Sequence, residues 1–401
     1  MERAFEAEDP ALQGSPGSGS IASLSPSSLD GGVIWAGMSN GTIKLTRDHG
    51  KTWDDANIPT VKRSIVCIDS SHTDPASAYA VVSSNAEPIV YRTKDFGKTW
   101  TKIVRGLPTD EVTGSWANVI RADTKKDGLL FLGTESSVFV SFDDGSNWQS
   151  LRLNSPNTSY RDMVIKNNDL IVGTYGRSFW ILDDLSPLRQ VTADHGSAYL
   201  FEPGEAIRVR RNVSQDTPMP PEVPHSLNAP PGALIYYYLG VKPSSDVTLE
   251  VTDSAGKSVR HYSSVPLPQV KEALQPIPDF WKEIPKPLPT ELGTNRMNWD
   301  LRYDNPPSNS HGYDISATPY LTPATPQGPL VIPGVYTVTL TVDGKKLVQK
   351  VTVKNDPRSP GSPDDVRRQH ELQMALYDGD VQATLPSGSI VTAVPSHTIR
   401  S

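Results

Sequence analysis

Three copies of one octapeptide constrain the fold of this 401-residue chain more than any other feature of its sequence. The copies share the pattern Ser/Thr-x-Asp-x-Gly-x-Thr/Asn-Trp and occupy residues 46–53, 93–100 and 141–148. Short hydrophobic runs typical of β-strands precede each copy, and the copies recur about every 47 residues. A period of about 40–50 residues that holds about four strands is typical of one blade of a β-propeller. The first half of the sequence therefore predicts propeller blades.

Each repeated position of the octapeptide has a structural explanation. The aspartate can accept hydrogen bonds from backbone N–H groups inside a hairpin turn, the glycine can adopt positive φ, and the tryptophan can pack between neighbouring blades. Catalytic acids or calcium ligands are a weaker interpretation, because identical residues on separate blades do not converge on one place. The predicted structural residues are Asp48, Gly50, Trp53, Asp95, Gly97, Trp100, Asp143, Gly145 and Trp148.

A fourth, degenerate copy follows the third. Residues 161–165 can supply its first strand, and Gly173 precedes Asp183 by the same spacing as Gly133 precedes Asp143. Leucines stand where the glycine and tryptophan of the octapeptide would be. We therefore expect about four blades over residues 18–192.

The second half of the chain has a different pattern. Residues 193–231 are rich in proline and predict an extended linker without a helix. Short alternating strands over 232–356 predict a β-sandwich of the immunoglobulin or fibronectin III type, which includes a hairpin that turns at Asp343-Gly344. The predicted fold class is thus all-β, with a partial propeller followed by a sandwich.

The end of the sequence predicts a short helix and an irregular tail. Ser362 is a typical N-cap, Pro363 suits the first helical position, and acidic residues follow in the first turn. The helix is expected over 362–378, and residues 379–401 have no periodic pattern.

Composition excludes several classes of protein. The net charge of −7 without a lysine and arginine cluster counts against a general nucleic-acid binder. A single cysteine, Cys67, excludes a disulfide framework, and its position in a strand predicts a small buried side chain. No apolar run is long enough for a membrane-spanning helix, and no metal or cofactor motif is present. We expect no cofactor.

The octapeptides resemble the Asp-box, or BNR repeat, of sialidases, sortilin-like propellers and xyloglucanase-type glycoside hydrolases. Residues 91–108 and 173–185 are similar to a narrower group, the large bacterial BNR-repeat glycosyl hydrolase or sortilin-N-terminal-domain-like proteins. The resemblance covers about residues 18–375. It implies an exported protein, periplasmic or secreted, although this chain begins without a signal peptide. It also implies that the chain is the C-terminal portion of a longer protein whose upstream blades would be partners of these four.

A propeller usually binds its ligand at the mouth of the central channel, on the face opposite the octapeptide turns. Trp116, Glu135, Tyr175 and Arg177 are expected in the loops at that mouth. They offer aromatic surfaces, a carboxylate and a guanidinium, which suit a carbohydrate or peptide ligand. In the alternative interpretation these residues form ordinary packing and ion pairs between blades.

Three hypotheses about function follow. The first is a binding propeller that recognises a glycan or peptide, and the second is a fragment of a glycoside hydrolase of the sialidase or xyloglucanase type. Hydrolysis needs two carboxyl groups across a cleft. Glu135 is the one candidate that position supports, and its partner would come from upstream blades. The third hypothesis is a structural scaffold.

Overall fold

The computed structural model divides into two compact units, residues 1–191 (unit 1) and 192–401 (unit 2). The structure describes residues 19–109, 116–192, 194–209, 217–220, 222–223, 229–266, 277–308 and 311–384. Strands dominate both units, which confirms the all-β prediction.

The described part of unit 1 contains four antiparallel sheets, each with its strands in chain order. We call these sheets blades 1 to 4. Blade 1 contains β1 (Ile21–Pro26), β2 (Ile34–Met38), β3 (Ile43–Thr46) and β4 (Asp54–Asp55). Blade 2 contains β5 (Ile65–Ser70), β6 (Ala78–Val82), β7 (Val90–Thr93) and β8 (Thr101–Lys102). Blade 3 contains β9 (Ala117–Ala122), β10 (Leu130–Thr134), β11 (Val138–Ser141) and β12 (Gln149–Ser150). Blade 4 contains β13 (Tyr160–Lys166), β14 (Asp169–Thr174) and β15 (Phe179–Leu182).

A shared β-bulge defines which residues of the four blades are equivalent. In each blade the first strand pairs with the second, and the register shifts after the first pair, as between Ile21↔Met38 and Ser23↔Gly37 in blade 1. The bulge therefore skips one residue of each first strand. The skipped residues are Ala22, Val66, Asn118 and Arg161.

The octapeptide turns have the hydrogen bonds that their sequence predicts. In blade 1 the Oδ1 of Asp48 accepts from the Thr52 backbone N–H (2.9 Å), and its Oδ2 accepts from the Thr52 hydroxyl (2.7 Å). The Thr46 Oγ1 accepts from the Gly50 N–H at 2.9 Å, and Gly50 has φ +83°. Blades 2 and 3 repeat these contacts.

The octapeptide tryptophans join one blade to the preceding one. Trp100 donates its Nε1–H to the carbonyl of Ala56 (3.0 Å), and Trp148 donates to the carbonyl of Ile103 (2.9 Å). Trp53 lies in blade 1, is partly exposed, and donates to Gly50 of its own turn. The predicted packing between blades is thus present for two of the three tryptophans.

The lone cysteine is buried between blades, as its sequence context predicts. Cys67 contacts the Arg121 Nη1 at 3.1 Å and donates weakly to the Ile120 carbonyl at 3.6 Å. Burial raises the pKa of the Cys67 thiol, so the thiolate needed for nucleophilic chemistry is disfavoured.

Unit 2 consists of two main sheets that share one hydrophobic core. One sheet has the order β16 (Ala198–Leu200), β18 (Ala233–Leu239), β21 (Gly293–Trp299). The other has the order β17 (Ala206–Arg208), β25 (Lys345–Asn355), β24 (Gly334–Val342), β19 (Thr248–Thr252), β20 (Ser258–Ser263). A small hairpin pairs β22 (Gly312–Tyr313) with β23 (Ala324–Thr325). Trp299 and Tyr336 meet edge to face in the core, with ring centroids 5.4 Å apart.

Two features of unit 2 agree with local sequence signals. The β24–β25 hairpin turns at Asp343 and Gly344, both with positive φ, as expected for a two-residue turn. The Ser362 Oγ accepts from the Asp365 backbone N–H (3.2 Å), and the Asp365 carboxylate accepts from the Ser362 N–H (3.0 Å), which caps the helix that follows.

The helices within the described residues are short except the last. They are α1 (Ser186–Arg189), a 3₁₀ helix (Asp279–Trp281) and α2 (Pro363–Thr384). Helix α2 continues past the predicted end at 378, because a single glycine, Gly379, lowers helix stability without ending a helix. Most of the predicted irregular tail, residues 385–401, lies outside the described residues.

The segment expected to be a linker contributes to unit 2. Within 193–231, β16 pairs with β18, and β17 pairs in parallel with β25. These short strands carry apolar residues that are buried in the unit 2 core, including Ala198, Leu200 and Ala206. The proline-rich residues 210–216, 221 and 224–228 lie outside the described residues.

Replacing Asp48 with Ala is expected to lower the melting temperature, because the Thr52 and Thr46 hydrogen bonds are lost. These bonds, with the Thr52 hydroxyl first, lower the pKa of Asp48 to about 2. The contribution of Asp48 is therefore present above the pKa of an unfolded aspartate, about 4, and is lost as the pH falls towards about 2. The difference in melting temperature between wild type and Asp48→Ala should be present at pH 7 and shrink below about pH 4.

Asp54→Ala is the matched control, since Asp54 makes only an exposed ion pair with Arg47 (3.2 Å), and such pairs contribute little. Equal losses for both variants, or a difference that does not change with pH, would contradict this role for Asp48.

Candidate functional site

A cavity of about 380 Å³ lies where the first strands of blades 2 to 4 begin. Strands within each blade are antiparallel, so the octapeptide turns after the third strands lie at the opposite edge. The cavity therefore has the position expected for a channel-mouth site, and we call it the mouth cavity. Its lining residues are Val66, Ser83, Ser84, Trp116, Ala117, Asn118 and Arg161.

The β-bulge explains why three of these residues meet. Val66, Asn118 and Arg161 are the skipped residues of β5, β9 and β13. A bulge redirects the side chain of the extra residue, and here the same redirection in three blades lines one cavity. The chain thus places an apolar, an amide and a cationic group at equivalent positions.

Glu135 fixes the two polar side chains of the lining. Its Oε1 accepts from the Asn118 Nδ2 at 2.9 Å and pairs with the Arg161 Nη1 at 3.2 Å. The Asn118 amide also donates to the Ser159 hydroxyl (3.3 Å) and to the Tyr160 carbonyl (3.2 Å). Glu135 is mostly buried, whereas Arg161 is about half exposed, so the guanidinium remains accessible from the cavity.

The four predicted site residues have different places in this geometry. Trp116 lines the cavity, and Glu135 lies behind the lining and binds Asn118 and Arg161. Tyr175 is exposed beside the cavity, with the Arg161 guanidinium 5.5 Å from its ring centroid. This distance permits a cation–π contact.

Arg177 occupies the β14–β15 turn and does not line the mouth cavity. Its backbone N–H donates to the Thr174 hydroxyl (3.2 Å), and its carbonyl accepts from the Trp180 Nε1 (2.9 Å). The described contacts include no ion pair between Arg177 and Glu135. The guanidinium of the site comes from Arg161 instead, because Arg161 lies on a first strand and Arg177 on a turn between later strands.

Sequence reasoning missed Val66, Ser83, Ser84 and Arg161 as lining residues. The repeat could have identified two of them, because Val66 and Arg161 are equivalent to Asn118 once the blades are aligned at the bulge. Ser83 and Ser84 lie in the turn after β6, for which the repeat has no pattern.

The lining is suited to binding a polar ligand. It combines an indole, an amide, two hydroxyls and a guanidinium, and its described residues include no carboxylate. Glu87, another acidic residue near this edge, pairs with Lys102 at 3.4 Å. Glycosidic hydrolysis requires two carboxyl groups about 5–9.5 Å apart, and Glu135 has no such partner among the described lining residues.

Within the described residues, no group of three or more His, Cys, Asp or Glu side chains is arranged to hold a metal ion. None of the described helices has the length and apolar character needed to cross a membrane.

Comparisons with known proteins give distant structural similarity. No protein-family model and no curated protein sequence matches the chain. Among solved structures, it is similar to YCF48 from Cyanidioschyzon merolae at 19% identity, covering 41% of this chain and 53% of that one, with a TM-score of 0.31. It is similar to the Myceliophteria thermophila Cps50 (Swd1) β-propeller domain at 12% identity, covering 40% and 51%, with a TM-score of 0.34. It is also similar to the Xanthomonas campestris GH74 xyloglucanase at 12% identity, covering 61% and 37%, with a TM-score of 0.34.

The chain spans about half or less of each of the three matched proteins.

A double-mutant cycle should show that Glu135 acts mainly through Asn118. We expect a coupling of about 1.5 kcal/mol between Asn118→Ala and Glu135→Ala, because a largely buried charged acceptor loses its amide donor. Between Arg161→Ala and Glu135→Ala we expect about 0.5 kcal/mol, because Arg161 is exposed. Urea unfolding followed by tryptophan fluorescence measures both values.

The exposed pair Lys44–Asp55, at 2.7 Å, provides a reference cycle that should resemble the Arg161 cycle. A larger coupling for Arg161 than for Asn118 would show that the ion pair, rather than the amide bond, organises the site.

Proposed function

We propose that this chain is part of an exported propeller protein of the Asp-box type that binds a glycan or peptide at the mouth cavity. The observation that carries this proposal is the cavity itself, where Trp116, Asn118 and Arg161 surround a space of about 380 Å³. Known ligand pockets have about 300–1,000 Å³, so this volume suits a small group such as a terminal sugar or peptide end.

The lining chemistry supports a ligand with both apolar and polar surface. Indole rings pack against flat apolar faces while their surroundings supply hydrogen bonds, and Trp116 lies beside Ser83 and Ser84. Arg161 has five N–H donors, of which the ion pair with Glu135 uses few. A carboxylate or several hydroxyl groups of a ligand could accept the remaining donors.

The octapeptide turns support the assignment to the Asp-box type. Their side-chain hydrogen bonds and positive-φ glycines recur in three blades. Export, to the periplasm or outside the cell, follows from the sequence resemblance alone. A scaffold role needs no cavity and has no specific observation in its favour.

A second candidate, a glycoside hydrolase of sialidase or xyloglucanase type, is favoured by one observation. Glu135 touches two lining residues, Asn118 and Arg161, so small shifts could bring its carboxyl group to a ligand. The second carboxyl group would belong to blades outside this chain.

Binding to a panel of oligosaccharides and peptides, measured by calorimetry, tests the proposal. Trp116→Ala and Arg161→Ala should each raise the dissociation constant of a ligand found in this panel by at least about tenfold. A tenfold change corresponds to about 1.4 kcal/mol of binding free energy. Arg177→Ala is the matched control, since this arginine lies outside the cavity lining. The Arg177→Ala variant should bind the ligand with the affinity of the wild-type protein. Unchanged affinity in the first two variants, or an equal loss in all three, would contradict the mouth cavity as the binding site.

Release of reducing sugar from the same oligosaccharides separates the two candidates. A binding protein releases none, and a hydrolase releases sugar in wild type and loses that activity in Glu135→Gln while retaining affinity.

A further inference from the structure

Two of the three junctions between blades of unit 1 are built around a glycine, whereas blade 2 has Val81 at the equivalent position. Between blades 1 and 2, a Cβ added at Gly37 of β2 would lie 2.6 Å from Ile65 of β5. Between blades 3 and 4, a Cβ added at Gly133 of β10 would lie 2.8 Å from Val119 of its own blade, and 2.9 Å from Met163 and 3.1 Å from Tyr160 of β13 in the next blade. A glycine on the second strand of one blade thus receives side chains from the first strand of the next.

The residues that enter this junction are buried in blades 2 to 4 and exposed in blade 1. By register, Ile21 is equivalent to Ile65 and Tyr160, which are fully buried, yet it is 63% exposed. Leu24 is equivalent to the buried Met163 and is 57% exposed. We call Ile21 and Leu24 the leading face. Their equivalents in later blades pack against the preceding blade, whereas these two side chains are exposed.

Blade 4 has the complementary half. Gly173 of β14 is equivalent to Gly37 and Gly133, but the atoms nearest to an added Cβ belong to its own blade, the Phe179 ring at 3.6 Å and the Asp162 carbonyl oxygen at 3.7 Å. Phe179 and Ile181 are 78% and 57% exposed. Their equivalents in blade 1, Ile43 and Leu45, are buried.

We call Gly173, Phe179, Ile181 and the neighbouring Val164 the trailing face. Val164 of β13 is 51% exposed. The trailing face of blade 4 and the leading face of blade 1 are therefore the two sides of the junction that already joins the blades within the chain.

We propose that two copies of this chain associate head to tail, the trailing face of each against the leading face of the other, to form a closed ring of eight blades. A second copy presents both required faces at once, with apolar side chains at the positions that form the internal junctions. Head-to-tail contacts of this kind form rings when the rotation closes. Eight blades lie within the usual range for propellers, about four to eight. The twofold axis would run along the channel, so both mouth cavities would open on the same face of the ring.

Light scattering after size-exclusion chromatography, over a hundredfold range of concentration, tests the ring. The wild-type chain should have twice the monomer mass of 43.7 kDa. Phe179→Asp and Leu24→Asp should each raise the dissociation constant by at least tenfold, because each places a carboxylate in both junctions. Leu153→Asp is the matched control, since Leu153 is equally exposed but lies outside both faces.

Gly173→Ala separates association from folding. Its added Cβ fits the space in blade 4, so the melting temperature measured on the dissociated chain should stay unchanged while the dimer weakens. Gly133→Ala, whose Cβ would meet Met163 within the chain, should instead lower the melting temperature.

Mixing the two faces' variants tests the head-to-tail geometry. A mixture of Leu24→Asp with Phe179→Asp contains heterodimers with one unmodified junction, and it should associate more strongly than either variant alone. A monomer at every concentration would overturn the proposal and favour additional blades of a longer polypeptide at these faces. Open-ended polymers would overturn the proposal as well. So would a dimer whose dissociation constant is unchanged by Gly173→Ala and Phe179→Asp.

Discussion

Unit 1 depends on how each blade satisfies the open edge of the next blade's first strand. That strand pairs with a neighbour on one side only, so its other backbone groups need partners. Side chains at one repeated position supply them. Ser25 accepts from the Ser70 N–H (2.9 Å), Asp69 accepts from the Ala122 N–H (2.8 Å), and Arg121 donates to the Met163 carbonyl (2.8 Å). Three chemically different residues have the same role, because the requirement is a hydrogen bond to an unpaired backbone group of the next blade's first strand. The fourth residue of the series is Val164, which cannot make such a bond and lies on the exposed trailing face.

The parts of the fold that local sequence determines were predictable. The octapeptide turns, the Asp343-Gly344 hairpin and the Ser362 cap each depend on residues within a few positions of one another. Strands β16 and β17 were not predicted, because β17 is stabilised by pairing with β25, which lies far along the chain. The proline-rich surroundings made the segment resemble a linker. Its few apolar residues pack in the unit 2 core against residues that are distant in the sequence.

The candidate site shows a similar division. The sequence indicated the edge of the blades at which the mouth cavity lies, and Trp116 lines that cavity while Glu135 lies directly behind it. It proposed Arg177 as the guanidinium, whereas Arg161 occupies the lining. A one-residue bulge decides this outcome, because a shift of one position moves a side chain to the other face of a strand. Alternating patterns do not reveal a bulge, and only the alignment of four first strands does so.

Blade 4 lacks the octapeptide, and its last residues replace the missing tryptophan by another kind of bond. Leu188 stands at the tryptophan position, and the adjacent Arg189 of α1 reaches back to Asp123 in blade 3, with Nη2–Oδ2 at 2.8 Å and two contacts from Nε at 3.0 and 3.1 Å. Asp123 is buried, and it also accepts from the backbone N–H groups of Lys125 and Lys126. Buried ion pairs are costly to desolvate unless further hydrogen bonds satisfy both partners, and these backbone donors meet that condition for Asp123. At the position of the octapeptide tryptophan, blades 2 and 3 are tied to the preceding blade by an indole and a carbonyl, whereas blade 4 is tied by a charge pair. An ion pair between Arg92 and Asp144 (2.8 Å) joins blades 2 and 3 elsewhere. The loss of the octapeptide in the fourth copy therefore changes the chemistry of the link between blades without removing it.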